Sequence, residues 1–175
     1  MLFRSLFESF HAYPLVVEVR HSAWAKEEFF GFLRSRGVGF CNVDQPLVSR
    51  SLGPTDVATS PVGYVRLHGR NAKEWFRKEA RPAARYDYLY SEEELLPWVE
   101  RVQQIAQQAT DVFIIANNHY RGKGPMAALT LRSMLTGKRV AAPPELVAAY
   151  PEIAPRVIAR APVQKASTQR TLFKN

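Results

Sequence analysis

Residues 14–24 read Pro-Leu-Val-Val-Glu-Val-Arg-His-Ser-Ala-Trp, an apolar run that ends in charged and polar side chains. Successive side chains of a β-strand point to opposite faces, so Glu18 and Arg20 should share one face of this strand. Ser22 stands where it can cap a helix that begins directly afterwards. The stretch therefore predicts a strand whose C-terminal end carries charge and leads straight into a helix.

Strand, polar end and helix follow one another three more times along the chain. Further strands are predicted at residues 38–44, 62–68 and 111–117, and helices at residues 1–11, 24–36, 91–109 and 126–135. Ser91 and Glu94 form a capping box, which marks the start of the third of these helices. Gly37 stands where a helix C-terminus is expected. Consecutive strand–helix units indicate an α/β fold with a parallel sheet and right-handed crossovers.

Polar side chains of one parity lie near the C-terminal ends of three predicted strands. The pairs are Glu18 with Arg20, Asn42 with Asp44, and Arg66 with His68. A doubly wound sheet is covered by helices on both faces and would accommodate these six residues badly. The inner face of a barrel is a different environment, and its C-terminal mouth is where barrel enzymes carry out their chemistry. The pattern favours a TIM-type barrel, of which only about four of the eight strands are found.

The connecting segments differ in character. Residues 45–61 contain three prolines and are predicted to be a long loop, whereas residues 71–90 are expected to be irregular with one helical turn. We assign residues 1–140 to the partial barrel. We assign residues 141–175 to a proline-containing basic tail, with a short helix near residues 145–149 and a mostly unstructured end.

Composition limits the class of protein. The net charge is +8, and residues 138–175 hold seven Lys and Arg against two Glu, so a polyanion such as nucleic acid is one expected partner. Cys41 is the single cysteine, which excludes an intrachain disulfide and a multi-cysteine zinc site. No apolar run approaches the ~20 residues of a membrane span, and the first residues lack a signal-peptide pattern. A cytoplasmic protein without membrane contact is expected.

Four motifs, in this order, resemble the domain of unknown function 72 family. They are Val-Glu-Val-Arg-His-Ser-Ala-Trp at residues 17–24, Val-Arg-Leu-His-Gly-Arg at 65–70, Tyr-Asp-Tyr-Leu-Tyr-Ser at 86–91 and Asn-Asn-His-Tyr-Arg-Gly at 117–122. The resemblance covers about residues 5–140 and implies strands five to eight of a TIM-type barrel. The motifs of the family's first half are absent, so the chain resembles a half-length member, such as a truncated reading frame or a fragment. The family has no established activity.

The resemblance also implies a polar mouth. It falls on Glu18, Arg20, His21, Trp24, Asp44, Arg66, His68, Asn117, Asn118 and His119. We predict Glu18, Asp44 and His68 as catalytic residues, with His68 as general acid or base. Ion pairs are expected between Glu18 and Arg20 and between Asp44 and Arg66, and the alternative is that these pairs merely satisfy each other.

An anionic ligand is the preferred interpretation of this mouth. Arg20, Arg66 and Arg70 could hold a phosphate or carboxylate through bidentate contacts, and Gly69 and Gly122 would let backbone amides approach it. The other predicted ligand-binding residues are His21, Trp24, Asn117, Asn118 and His119. Aromatic side chains could stack on a base or sugar, although packing is the alternative role of Trp24, Tyr86, Tyr88 and Tyr90.

Two other functions stay open. A metal-dependent hydrolase or isomerase could use His21, His68 and His119, but no known metal-binding spacing supports it, and we assign no metal ligand and no cofactor. A truncated fragment without independent activity is the second alternative. Four strands leave two open sheet edges, so we expect a homodimer that closes a barrel, or misfolding.

The last residues carry a separate signal. Residues 169–173 read Gln-Arg-Thr-Leu-Phe, which resembles the motif that binds the bacterial sliding clamp. Leu172 and Phe173 would fill an apolar pocket, and Gln169 would fix the register by hydrogen bonds. Chance, or docking onto the chain's own barrel, is the alternative.

Overall fold

Four parallel strands, neighbouring in chain order, form the main sheet. The computed structural model describes residues 2–75, 77 and 82–160, and the strands are β1 (Val16–Val17), β2 (Gly39–Asp44), β3 (Val62–Leu67) and β4 (Asp111–Ala116). Their order in the sheet is β1-β2-β3-β4, and every pairing is parallel. The predicted α/β fold with a parallel sheet of four strands is confirmed.

Helices follow β1, β3 and β4 as predicted, but none lies between β2 and β3, so the prediction of four strand-to-helix units is wrong for β2. The helices are α1 (Leu2–Ser9), α2 (Glu27–Ser35), α3 (Ala72–Trp75), α4 (Pro82–Arg85), α5 (Glu92–Ala106), α6 (Lys123–Thr136) and α7 (Pro144–Ala149). Short 3₁₀ turns lie at Ser22–Trp24, Tyr120–Gly122 and Pro151–Arg156. Residues 45–61 contain no strand or helix, so the predicted long loop is confirmed.

Local signals at the helix ends explain most boundaries. Ser91 Oγ accepts the Glu94 amide at 3.2 Å while Glu94 Oε2 accepts the Ser91 amide at 3.0 Å, which is the predicted capping box. Gly37 follows α2 with φ of +63°, a conformation that favours glycine. The prediction that Ser22 caps the second helix is wrong. Ser22 begins a 3₁₀ turn instead, and α2 starts only at Glu27.

Helices α5 and α6 cover one face of the sheet. Val65 and Leu67 of β3 are fully buried against a core that includes Leu95, Trp98, Ile105 and Leu131. We call the opposite side the inner face, and define it by Val16, Cys41, Tyr64, Phe113 and Ile115. Phe113 and Ile115 are 50% and 39% exposed there. The two faces of the sheet therefore have different environments.

The register of β2 corrects one prediction. Asn42 pairs with Val65, and Asp44 pairs with Leu67. Because paired residues in parallel strands point to the same side, Asn42 and Asp44 point toward the helices. The prediction that they share the polar face of Arg66 is wrong. Both side chains can be buried because they have hydrogen-bond partners there. Asn42, for example, donates to the Val57 carbonyl and accepts from the Val57 amide and the Thr55 hydroxyl, which anchors the loop of residues 45–61.

The segment after α6 is more ordered than expected. Strands β5 (Val140–Ala142) and β6 (Val157–Ala159) pair in parallel, and α7 lies between them. Met126 of α6 packs with Ala142, Ile153 and Val157. The prediction of a mostly unstructured end is therefore wrong for residues 151–159. Strands β5 and β6 were missed because a strand of three residues is too short to show a periodic pattern in the sequence. Gln169, Leu172 and Phe173 lie outside the described residues. Within the described part, no helix is long and apolar enough to cross a membrane.

Candidate ligand-binding site at the strand ends

A carboxylate with three donors lies at the C-terminal ends of β1 and β3. Glu18 Oε1 accepts from Arg20 Nε at 2.8 Å and lies 3.1 Å from His68 Nε2, while Oε2 accepts from Arg66 Nη1 at 2.6 Å. Asn117 Nδ2 lies 3.2 Å from His68 Nδ1. We call these five side chains the mouth network. The predicted ion pair between Glu18 and Arg20 is present.

The mouth network keeps Glu18 ionised. Burial raises the pKa of Glu18, but hydrogen bonds from His68, Arg66 and Arg20 outweigh this effect and lower it to about 2. The side chain is 18% exposed, so solvent screens these contacts only in part. At neutral pH Glu18 is a fixed negative charge and cannot donate a proton.

The ring of His68 is fully buried between Glu18 and Asn117. For the contact to Glu18 to be a hydrogen bond, Nε2 must carry the proton, because a carboxylate only accepts. In the neutral ring Nδ1 is then an acceptor and takes an N–H of Asn117. Arg20 Nη2 lies 3.2 Å from the same Nε2. His68 thus joins β3 to the residue that follows β4.

The second predicted carboxylate, Asp44, belongs to another cluster. Its oxygens accept from Arg70 Nε and Nη2 at 2.9 and 2.7 Å, from Tyr90 Oη at 2.8 Å and from Trp98 Nε1 at 2.7 Å. The predicted pair between Asp44 and Arg66 is wrong, because Arg66 binds Glu18 and Arg70 binds Asp44. Trp98 of α5, together with Arg70 and Tyr90 of the segments that precede α3 and α5, supplies these donors.

Arg70 is engaged on several sides. Besides Asp44, it contacts Glu94 at 3.5 Å, and its guanidinium lies 5.8 Å from the ring centre of Tyr90. Hydrogen bonding to Asp44 raises the pKa of Arg70 despite its burial. Burial and the charge of Asp44 raise the pKa of Tyr90. Arg70 is therefore held by the protein and is not placed in the mouth network.

Four other predicted residues lie outside the mouth network. His21 accepts the Ala23 amide and caps the 3₁₀ turn, and Trp24 packs on Phe3 and Phe29 at 5.4 and 4.8 Å between ring centres. The other two flank the network at the end of β4. Asn118 is buried and donates to the Tyr88 carbonyl, and His119 stacks on Tyr86 with ring centres 5.1 Å apart.

An open cleft of about 390 Å³ adjoins the mouth network. It is lined by Pro14, Val16, Glu18, Cys41, Tyr64, Arg66 and Ile115. Prediction missed Cys41, Tyr64 and Ile115 as lining residues, although the strand parity of Tyr64 and Arg66 was visible in the sequence. Burial, followed by the charge of Glu18, raises the pKa of Cys41 to about 12, so its thiol stays protonated. No three His, Cys, Asp or Glu side chains converge as a metal site anywhere in the described ranges.

Fold and site together define a parallel α/β protein with a charged network at its strand ends. The model of the family described as "Protein of unknown function DUF72" matches residues 2–150. The chain belongs to this family, which confirms the resemblance seen in its four motifs.

Solved structures and a curated relative support the assignment. A DUF72 family protein from Thermotoga maritima MSB8 is 37% identical with a TM-score of 0.70, covering 77% of this chain and 50% of that one. One from Enterococcus faecalis V583 is 25% identical with the same TM-score, at 77% and 51% coverage. The UPF0759 protein YunF of Bacillus subtilis (strain 168) is 28% identical over 118 residues, 62% of this chain and 42% of its own length. The chain thus spans about half the length of these relatives.

Proposed function

We propose that the chain binds a small anion, carrying a phosphate or carboxylate group, through Arg66 and Arg20 at the C-terminal ends of its strands. The mouth network is the observation that carries this proposal. Two guanidinium groups share the single carboxylate of Glu18, so these three side chains together carry a net charge of +1. An anion would complete this charge balance.

Arg66 has donors to spare. It uses one of its five N–H groups on Glu18, and its guanidinium has no other hydrogen-bond partner among the described residues. Its side chain is 30% exposed and lines the open cleft. A guanidinium with two adjacent donors matches the geometry of phosphate and carboxylate oxygens.

We further propose that the sheet is half of a TIM-type barrel. The parallel strands are neighbours in chain order, whereas a doubly wound sheet reverses its order at one point. Helices α5 and α6 cover one face, and Phe113 and Ile115 of the inner face are exposed. In such a barrel the strand C-termini form the mouth at which ligands bind. With it we propose that residues 1–140 form this partial barrel and that residues 141–175 form a separate C-terminal tail.

The three predicted catalytic residues receive different roles. We propose that Glu18 orients Arg20 and Arg66, and that His68 holds Glu18 in place through its contact at 3.1 Å. Asp44 acts instead as a support that holds Arg70 and the end of β2. We assign no reaction to the site.

Inorganic phosphate is the simplest probe of this function. The melting temperature of the chain is measured in a phosphate series at constant ionic strength, where binding to the native state raises it by mass action. Arg66→Ala should weaken phosphate binding by roughly tenfold to a hundredfold, because hydrogen bonds to charged groups contribute about 1.5–3 kcal/mol. Arg66→Lys should have an intermediate affinity for phosphate, because it keeps the positive charge but loses the two adjacent N–H donors of the guanidinium.

Arg101→Ala is the matched control. Arg101 lies on α5, donates to the Pro97 carbonyl and packs over Trp98, away from the mouth network. It should leave the phosphate response unchanged. An equal phosphate response in wild type and Arg66→Ala would contradict the proposal.

Broader predictions of partner and location remain proposals. A nucleic-acid ligand would use the same anion contacts, and substitution of oligonucleotide for phosphate in the same assay tests it. Sliding-clamp binding by Gln169, Leu172 and Phe173 is tested with a peptide of residues 164–175. A cytoplasmic location, and the alternative of a fragment without activity, stay predictions.

A further inference from the structure

We infer that a groove between α5, α6 and the 3₁₀ turn at Pro151–Arg156 is the docking site for Phe173 and Leu172 of the same chain. We call it the acidic groove and define it by Leu89, Glu93, Met126, Glu152 and Ile153. None of the residues of the mouth network lines it. The inference therefore depends neither on anion binding nor on the proposed barrel.

The floor of the acidic groove is apolar. Met126 and Ile153 are 5% and 1% exposed, and Leu89, which also lines the groove, is 36% exposed. The groove has a volume of about 340 Å³. A cavity of about 150 Å³ is large enough to hold benzene, so the groove accommodates a phenyl ring and part of a second apolar side chain.

Carboxylates surround this apolar floor. Glu92, Glu93 and Glu152 all line the groove. Arg156 pairs with Glu92 at 2.9 and 2.5 Å. Glu93 and Glu152 are exposed, and neither has a Lys or Arg partner among the described residues. The groove therefore favours an occupant whose apolar side chains are flanked by positive charge.

The end of the chain has this chemistry. Residues 161–175 lie outside the described residues and contain three cationic side chains but no Asp or Glu. Leu172 and Phe173 are adjacent and stand between Arg170 and Lys174. Entry of Phe173 into the groove, with Leu172 against Leu89, brings both cations toward the carboxylate rim. Apolar burial and opposite charges then favour the same contact.

The docking segment starts close to the groove. Val157 of β6 packs in one cluster with Met126 and Ile153. Arg160 follows three positions later, at most about 11 Å of chain away, and its amide donates to the Ala142 carbonyl. Leu172 stands twelve positions after Arg160, and twelve extended residues span up to about 40 Å. The segment therefore reaches the groove of its own copy.

A short connection also makes a weak contact effective. A segment tethered in this way has an effective concentration on the order of 1 mM at the groove. A dissociation constant of about 0.1 mM for the free segment would thus leave the groove roughly 90% occupied. Because Leu172 and Phe173 are also the apolar residues of the clamp-type motif, docking in the groove and binding to a sliding clamp exclude each other.

Methyl NMR of the full chain reports the occupant directly. The methyl groups of Met126 and Ile153 should show nuclear Overhauser contacts with the ring of Phe173 and shifts caused by its ring current. Phe173→Ala should remove both effects. Thr168→Ala is the control within the same segment and should leave these methyl signals unchanged. The wild-type signals should not depend on protein concentration, because the occupant belongs to the same copy.

Peptide binding measures the affinity of the groove. The full chain with Leu172→Ser and Phe173→Ser has an open groove and should bind a labelled peptide of residues 164–175, and more weakly as salt is raised. The wild-type chain should bind this peptide about tenfold more weakly, because its own segment competes.

Substitutions in the open-groove chain locate the contact. Leu89→Asp should weaken peptide binding by about tenfold or more, because it places a carboxylate against Leu172. Leu96→Asp is the matched control, since Leu96 is 58% exposed on α5 and does not line the groove. Both side chains are exposed, so circular dichroism should show an unchanged fold. Glu152→Lys should weaken binding by about twofold to fivefold.

Three results would overturn the inference. The first is a set of Met126 and Ile153 methyl signals that do not respond to Phe173→Ala, and a sliding clamp that nevertheless binds the peptide would leave the motif to the clamp alone. The second is equal peptide affinity of the wild-type and open-groove chains. The third is a dependence of the wild-type methyl signals on protein concentration, which would assign the groove to a segment of another copy.

Discussion

Asp44→Asn is expected to destabilise the chain severely while leaving the mouth network in place. The carboxylate is fully buried and accepts hydrogen bonds from Arg70, Tyr90 and Trp98. Replacement by Asn removes the charge and converts one oxygen into an NH₂ group. Because every group around it is a donor, that NH₂ group meets N–H or O–H groups and leaves at least one of them without an acceptor.

The magnitude follows from the burial of each partner. Breaking a buried ion pair by removing one charge costs about 3–5 kcal/mol. Arg70 is 34% exposed, so water can solvate its guanidinium in the variant and the cost falls toward the lower limit. Trp98 and Tyr90 are fully buried, so water cannot replace the hydrogen bonds that they lose. We expect a loss of about 3 kcal/mol in the free energy of unfolding, a large share of the 5–15 kcal/mol typical of a domain.

Urea unfolding followed by circular dichroism at fixed protein concentration measures this loss. With an m value of about 1–3 kcal/mol/M, the midpoint should fall by roughly 1 M or more. Asp56→Asn is the matched control, because Asp56 is exposed in the loop of residues 45–61 and should change stability by less than about 0.5 kcal/mol. A loss below about 1 kcal/mol for Asp44→Asn, combined with a lost phosphate response, would refute the structural role.

Two further predictions concern Glu18 and Ser91. The pKa of Glu18 is about 2 in the folded chain against an ordinary 4.5, so its contribution of roughly 3 kcal/mol is fully present above about pH 5.5 and is lost as the pH falls toward 2. Urea midpoints at several acidic pH values should therefore decline less steeply for Glu18→Gln than for wild type, and parallel declines would contradict the assignment. Ser91→Ala should cost about 1 kcal/mol by removing the α5 cap, whereas Ser91→Asp should retain most of the stability in the same unfolding assay.

Local chemistry explains why so much of the fold was predictable. The alternation of Glu18 and Arg20 with apolar neighbours sets their common face without any reference to other strands. The Ser91 capping box likewise needs only two residues three positions apart. Such signals depend on the residues of one element, and a single sequence contains them completely.

The face of β2 could not be predicted in this way. Asn42 and Asp44 alternate with apolar Cys41 and Val43, which by parity alone suits a polar inner face as well as a covered one. Their orientation is decided by the register with β3 and by Trp98, which lies 54 positions beyond Asp44. Long-range donors that make a buried carboxylate tolerable leave no local pattern in the sequence.

The hydrogen-bond donors around Asp44 and Glu18 distinguish a carboxylate that only supports the fold from one that belongs to the proposed binding site. Asp44 is bound by Arg70 and by two buried neutral groups, so each of its lone-pair directions points at the protein and a ligand has no approach. Glu18 is bound by Arg20 and Arg66, whose side chains reach solvent and keep the network positive. A carboxylate that holds exposed cations prepares them for an outside anion, because it fixes their orientation without using all their donors. This difference in saturation, more than the presence of charge at the strand ends, is what supports the proposed binding role of Arg66.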